Sequence, residues 1–202
     1  MYSISSMRKA AMVIALTTTI VAAAVPSSAA DLRIPVLVPL TGFLSLEGTS
    51  QRNGAEMALR EASRSLDIAF DVSDTATSPE VAVNAFARAT GQTGVVAVVA
   101  PMLGTQMLAL VPLADEENVP LLTVSGTAKI TELGSANVYR FFPGDAVVKT
   151  AQARYAVEEL GARKPAIVYQ TTAYGQSGHG WLVTNLEKLA AAPVFEEGID
   201  VT

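Results

Sequence analysis

Cysteine is absent from the 202 residues, and histidine appears once, as His179. The first absence excludes disulfides and a lipid-modified cysteine anchor. The second leaves His179 without Cys, His or acid partners at ligand spacing, so the chain carries no recognisable metal site. A surface or helix-start position is expected for it. Basic residues are also scarce, 14 against 19 acidic, for a net charge of -5 at pH 7. Nucleic acid requires a basic face, so no nucleic-acid partner is expected. Enzyme signatures are missing too. There is no Gly-x-Ser-x-Gly elbow, no Walker A lysine pattern and no Gly-x-Gly-x-x-Gly after the first strand. Gly42, Gly48 and Gly54 do not have dinucleotide spacing. No catalytic residue, metal ligand or cofactor is therefore assigned.

What is present begins with a basic pair, Arg8 and Lys9. The following run, 10–25, is apolar apart from three threonines. Pro26 breaks it, and Ser28-Ala29-Ala30 resembles a small-x-small cleavage site. This pattern predicts a secretory signal peptide over residues 1–30, cleaved near Ala30, rather than a membrane span. Export without cysteine suits a bacterial periplasm or exterior, the periplasm being the expected location, and a fold large enough to need no staples. The 172 residues after Ala30 carry 12 basic against 19 acidic groups, a net charge of -7. That length allows one good core, or one domain plus part of another.

The chain is organised around the stretch 33–56. A short apolar run from Ile34 is followed by a Gly/Ser/Thr-rich loop, Thr41 to Ser50, and a helix pattern from Gln51 to about Arg64. Strands are predicted at 66–72, 95–100, 119–124 and 138–142. Ser78 and Pro79 open a helix ending at Gly91, with Ala82, Ala85, Phe86 and Ala89 as its core stripe. A further helix follows the Pro101–Gln106 turn, and Pro112 should kink or split it near Val111. Gly144-Asp145 opens a helix reaching Leu160. A strand at 166–169, a loop at 171–178, a helix and a strand start complete the pattern. The expected fold is α/β, a doubly wound, mostly parallel sheet. Residues 31–143 form one lobe, and residues 144–202 form a crossover helix with the start of a second, incomplete lobe.

In such a sheet, ligands bind outside the strand C-termini. Four turns there carry the candidate residues. Leu46 can wall a pocket, and Glu47 can meet a ligand ammonium. Gly104 permits close backbone approach, with Thr105 as a cap or ligand donor and free helix N–H groups beside it. Ser125, Gly126 and Thr127 repeat that chemistry after the next strand. Tyr174 can cover an apolar ligand and still donate a hydrogen bond. Asp74 either lines the crevice or caps a turn.

Several passages then resemble one family in their order. They are the PLTG turn at Pro39–Gly42, Gly54-Ala55-Glu56, Asp74, PMLGTQ at 101–106 and SGTA ending at Ala128. VYRFFPGD at 138–145 and Tyr174-Gly175 complete the set. The chain resembles the amino-terminal half of a type I periplasmic solute-binding protein, in the leucine/isoleucine/valine- and amide-binding branch that serves ABC transporters. The resemblance implies two lobes joined by three crossings that close on a small-molecule solute, and a membrane permease as partner. It implies that Thr105 and Thr127, with Ser125 beside it, hold the α-carboxylate and α-amino group, and that Tyr174 closes over the ligand. Glu47 stands where the family often has Tyr, and Gly104 where Ser is common. These departures leave room for a polar, cationic, amide or aromatic-acid ligand. Two other readings stay open: a ligand-sensing ectodomain of the same fold, and a secreted enzyme, which would need a nucleophile–base pair not seen here.

Overall fold

The computed structural model describes residues 32–201; the signal-peptide reading of residues 1–30 lies outside them. Strands β1 (Leu32–Arg33) and β2 (Val36–Val38) lead into helix α1 (Ser45–Ala62). Pro35 between the two strands has no N–H to donate, which interrupts the ladder. The strand expected at 66–72 is likewise two pieces. Of these, β3 (Ile68–Ala69) lies beside β1, and β4 (Val72–Asp74) lies beside β2. There follow α2 (Pro79–Thr90), β5 (Val98–Val99), α3 (Gly104–Glu117), β6 (Leu121–Thr123), α4 (Lys129–Glu132) and β7 (Val138–Arg140). Helix α5 (Asp145–Arg154) runs into a π turn (Tyr155–Glu159). Then come β8 (Ala166–Gln170), α6 (Ala173–Lys188) and β9 (Phe195–Ile199).

All the strand pairings are parallel. The main sheet has the order β4-β2-β5-β6-β7, and β8 pairs with β9 in a separate sheet. The main sheet grows outward from β2 in both directions, so its order reverses between β2 and β5. That reversal opens a crevice at the strand C-termini.

Side chains alternate across each strand with period two, and the two faces build different cores. Leu37, Val98 and Leu121 pack under α2 and α3 against Phe86, Met107 and Leu110. Val36 and Val38 pack on the other face against Leu59 of α1. Helices on both faces make the sheet doubly wound, as expected. A third core uses Ala153, Val157, Ile167, Leu186 and Ala191 to hold α5, the π turn, β8 and α6 together.

Helix α2 follows its local signals closely. The Ser78 hydroxyl accepts from the Val81 N–H, Pro79 occupies the first turn, and all four stripe residues are buried. Other expectations need correction. The loop read at 41–50 ends at Leu44, because α1 begins at Ser45, six residues early. The loop read at 171–178 is mostly helix, since α6 begins at Ala173 behind a Thr172 cap. Pro112 does not split α3. It sits at an exposed position, where solvent can replace the helical hydrogen bond it removes. The third strand is not covered throughout: Val96 is exposed and the regular ladder is confined to Val98–Val99.

Candidate functional site

Three turns meet at the reversal of the sheet: Pro39–Leu44 after β2, Pro101–Leu103 after β5, and 124–128 after β6. Asp74, at the end of β4, fixes the first. Its Oδ1 accepts from the N–H groups of Leu40 (2.8 Å), Thr41 (3.2 Å) and Ala76 (2.8 Å), and its Oδ2 from the Thr41 hydroxyl (2.6 Å). Burial alone raises the carboxyl. The bonds from Thr41, Ala76 and Leu40 outweigh it and hold the group below its ordinary range. Asp74 therefore builds the loop rather than lining the crevice.

The second and third turns are tied by Thr123. Its hydroxyl donates to the Pro101 carbonyl at 2.9 Å and accepts from the Ser125 N–H at 3.1 Å. Gln106, buried in the first turn of α3, donates to the carbonyls of Thr75 (3.0 Å) and Ser78 (3.1 Å). Sequence reasoning missed both residues. A fully buried amide in a helix start and a Thr at a strand end carry no distinctive spacing. Gln51 of α1 adds a third tie, donating to the Ala100 carbonyl at 2.8 Å.

A cavity of about 380 Å³ lies over these turns. Leu44 and Glu47 form its α1 side, Met102 and Leu103 its floor, and Val124 and Gly126 its far edge. Phe142 from the β7–α5 connection, Gln170 from the end of β8 and Tyr174 from α6 complete its lining. Four of the expected site residues respond differently. Glu47 and Gly126 line this cavity, as does Tyr174. Leu46 does not: it is 75% exposed and borders a separate apolar groove between α1 and the sheet. Both Leu46 and Glu47 lie in the first turn of α1, not on a mobile-looking loop.

Gly104 and Thr127 are in close contact. A Cβ on Gly104 would stand 2.0 Å from the Thr127 Oγ1. Ser125 and Thr127 are 0% and 1% exposed, and neither hydroxyl has a protein partner. A buried hydroxyl without a partner is costly, and two of them on one turn are the strongest chemical signal at this edge. Thr105 is half-buried in the first turn of α3, and the N-cap position expected of it belongs to Leu103. Its N–H is among the first donors of α3, which have no acceptor within their own helix.

On the other side of the Thr127 turn, a wider cleft of about 750 Å³ runs between α4 and α6, bordered by Thr127, Ala128, Ser177 and Trp181. Trp181 is half-buried there. His179 lies away from both openings, in the body of α6. It stacks on Tyr169 with ring centres 4.0 Å apart and pairs with Glu196 of β9. Among the described residues, no group of three or more His, Cys, Asp or Glu could hold a metal.

Comparison with known proteins gives a consistent result. The sequence profile of the family described as "Periplasmic binding protein" matches residues 31–197. The Leu/Ile/Val-binding protein BraC3 of Rhizobium johnstonii is 30% identical over 169 residues, covering 80% of this chain and 46% of its own. Among solved structures, the leucine-binding protein LivK of Thermotoga maritima superposes with a TM-score of 0.75 at 24% identity. The match covers 84% of this chain and 48% of that one. A solute-binding protein of an ABC transporter from Rhodopseudomonas palustris BisB5, solved with 3,4-dihydroxybenzoic acid, gives 0.76 at 20% identity, with 84% and 47% covered. These similarities establish a type I periplasmic-binding-protein fold, of which the chain spans about half the length of the relatives it matches.

Proposed function

Because the chain belongs to the periplasmic binding protein family, we propose that it is the solute-binding component of an ABC transporter. It takes a branched-chain or related amino acid, an amide or a small organic acid into the cleft, without catalysis. It works in the periplasm, after removal of residues 1–30, and delivers its solute to a membrane permease. The lobes divide near residue 143, between β7 and α5. Residues 31–143 supply one wall, and Tyr174 comes from the segment beyond it.

The observation that carries this reading is the pair of buried, unpartnered hydroxyls of Ser125 and Thr127, beside the free N–H groups that open α3. Gly104, Thr105, Ser125 and Thr127 do not themselves line the 380 Å³ cavity, but Val124 and Gly126 of the same turn do, and donors without acceptors just behind that wall suit a carboxylate, which accepts only. Leucine and 3,4-dihydroxybenzoic acid, named for two of the similar proteins, share that group. The cavity volume falls in the roughly 300–1,000 Å³ range of small-molecule sites. Glu47 at its rim favours a ligand whose far end carries a donor or positive charge.

Calorimetry and thermal melts against leucine, isoleucine, valine, short amides and aromatic acids test the reading. At a hundredfold excess over Kd, a bound ligand adds about 2.7 kcal/mol of stability. Absence of heat and of any melting shift across the whole set would remove it.

A further inference from the structure

We propose that Asp145 is a positioning residue of the cleft: it seats the start of α6, with Tyr174 and Ser177, against the Ser125–Ala128 turn. Three hydrogen bonds converge on that turn from later parts of the chain. The Asp145 N–H donates to the Gly126 carbonyl at 2.8 Å. The Ser177 hydroxyl accepts from the Ala128 N–H at 3.0 Å, and the Arg140 guanidinium donates to the Thr127 carbonyl at 3.1 Å. Gly126 is the point of closest approach. A Cβ there would stand 3.0 Å from Tyr174 Cε2 and 3.5 Å from Asp145 Oδ1. The aromatic ring and the carboxylate thus share the hollow left by the missing side chain.

Asp145 reads in the sequence as an ordinary acid at a helix start. Such acids stand in solvent and complement the helix field. This one is 2% exposed, and its Oδ2 has no partner. The groups facing it are Ser177 and Tyr174 from α6, Lys149 from its own helix and Arg140 from the end of β7. The Lys149 ammonium also lies 5.8 Å from the centre of the Tyr174 ring, which draws on the same charge.

Burial pushes the Asp145 carboxyl above its ordinary value of 3.8, and the Ser177 bond, Lys149 and Arg140 only partly offset it. A carboxyl raised in the seated arrangement favours that arrangement while protonated. The preference is lost as pH rises through the raised value. When α6 leaves the turn, the carboxylate meets water and returns toward its ordinary value. The seat is therefore tightest at the acid end of this window and looser above it. The role in solute capture rests on the solute-binding reading; the seating itself does not.

Trp181 is the chain's only tryptophan. It lies on α6 one turn beyond Ser177, bordering the wider cleft, so its emission reports the seat. The test is a titration of the whole chain across the acid-to-neutral range. A one-proton emission step is expected in the parent protein. Asp145→Asn keeps the shape and an acceptor for Ser177, and should remove the step. Ser177→Ala removes a bond that favours the charged form, and should move the step to higher pH. An unchanged step in Asp145→Asn overturns the proposal. If that variant does not fold, a step that stays in place in Ser177→Ala overturns it instead. Leucine and benzoate are titrated into the same samples. Binding with one pH profile in parent and Asp145→Asn also overturns the proposal. Absence of binding by these two ligands and by the rest of the set above, with the step present in the parent and missing from Asp145→Asn, sinks the solute reading and leaves the seating role standing.

Discussion

Replacing Thr127 by valine removes one hydroxyl and keeps the branched shape. In the folded chain that hydroxyl is buried and has no partner. A buried hydroxyl left unpaired costs about 1–3 kcal/mol, so its removal should not destabilise the protein. The gain is limited, because the replacing methyl sits against Gly104, where a Cβ would already stand 2.0 Å from Oγ1. The expected change in unfolding free energy is between zero and about +1 kcal/mol, a melting shift of at most about 4 °C at this size. Affinity should move the other way. A hydrogen bond to a charged group contributes about 1.5–3 kcal/mol, so a carboxylate ligand should bind about 10- to 100-fold more weakly. Urea unfolding and calorimetry on the same preparations separate the two effects. Loss of more than about 2 kcal/mol of stability would mean that the hydroxyl has a partner in the folded chain. Undiminished affinity for every ligand would make this turn purely structural.

Gly104→Ala should cost about 1–3 kcal/mol by overpacking against Thr127, and the cost should fall by at least about 1 kcal/mol in a Thr127→Ala background; equal costs in both backgrounds refute the contact. Asp74→Asn should destabilise by about 1–3 kcal/mol near neutral pH, since it disturbs four hydrogen bonds. Because the Asp74 carboxyl is held below 3.8 in the folded chain, this stability is present above that value and lost as pH falls through the folded one. Urea melts should show the gap between parent and variant narrowing as pH falls below 3.8, and a gap as wide in acid as at neutral pH would count against the charge as its source. Ser78→Ala removes the cap of α2 and should lower stability by about 1 kcal/mol; an unchanged thermal melt would show that the Val81 bond contributes nothing.

The fold class and helix α2 were legible because they rest on local signals: the Ser78-Pro79 opening, the four-residue stripe, Gly91. The start of α1 was not. Gly48 reads as loop flexibility, but its cause is contact: a Cβ there would stand 1.8 Å from the Pro39 carbonyl oxygen. Gly175 has the same cause, 2.0 Å from the Gln170 carbonyl oxygen. In both places a helix begins hard against the strand before it, and only glycine fits. Glycine spacing alone cannot separate that situation from a loop. At the candidate site, Glu47, Gly126 and Tyr174 were placed at the cavity by topology. Thr123, Gln106 and Asp145 were invisible, because their roles depend on partners more than twenty residues away, at Pro101, Thr75 and Ser177.

The all-parallel pairing also governs how fast this chain can find its fold. A parallel pair needs a crossover, so no hairpin can form early and locally. The shortest register in the main sheet joins Leu121 to Val138, and the pairing at the sheet's reversal joins Val36 to Val99. The crevice therefore exists only once a segment of some sixty residues has been closed, and the entropy of that closure comes before any contact across β2 and β5 can repay it. Helix α2, capped and striped from within, can form ahead of that step. The binding turns cannot, and a stopped-flow experiment should find Thr127 variants altering unfolding rates while leaving refolding rates nearly unchanged.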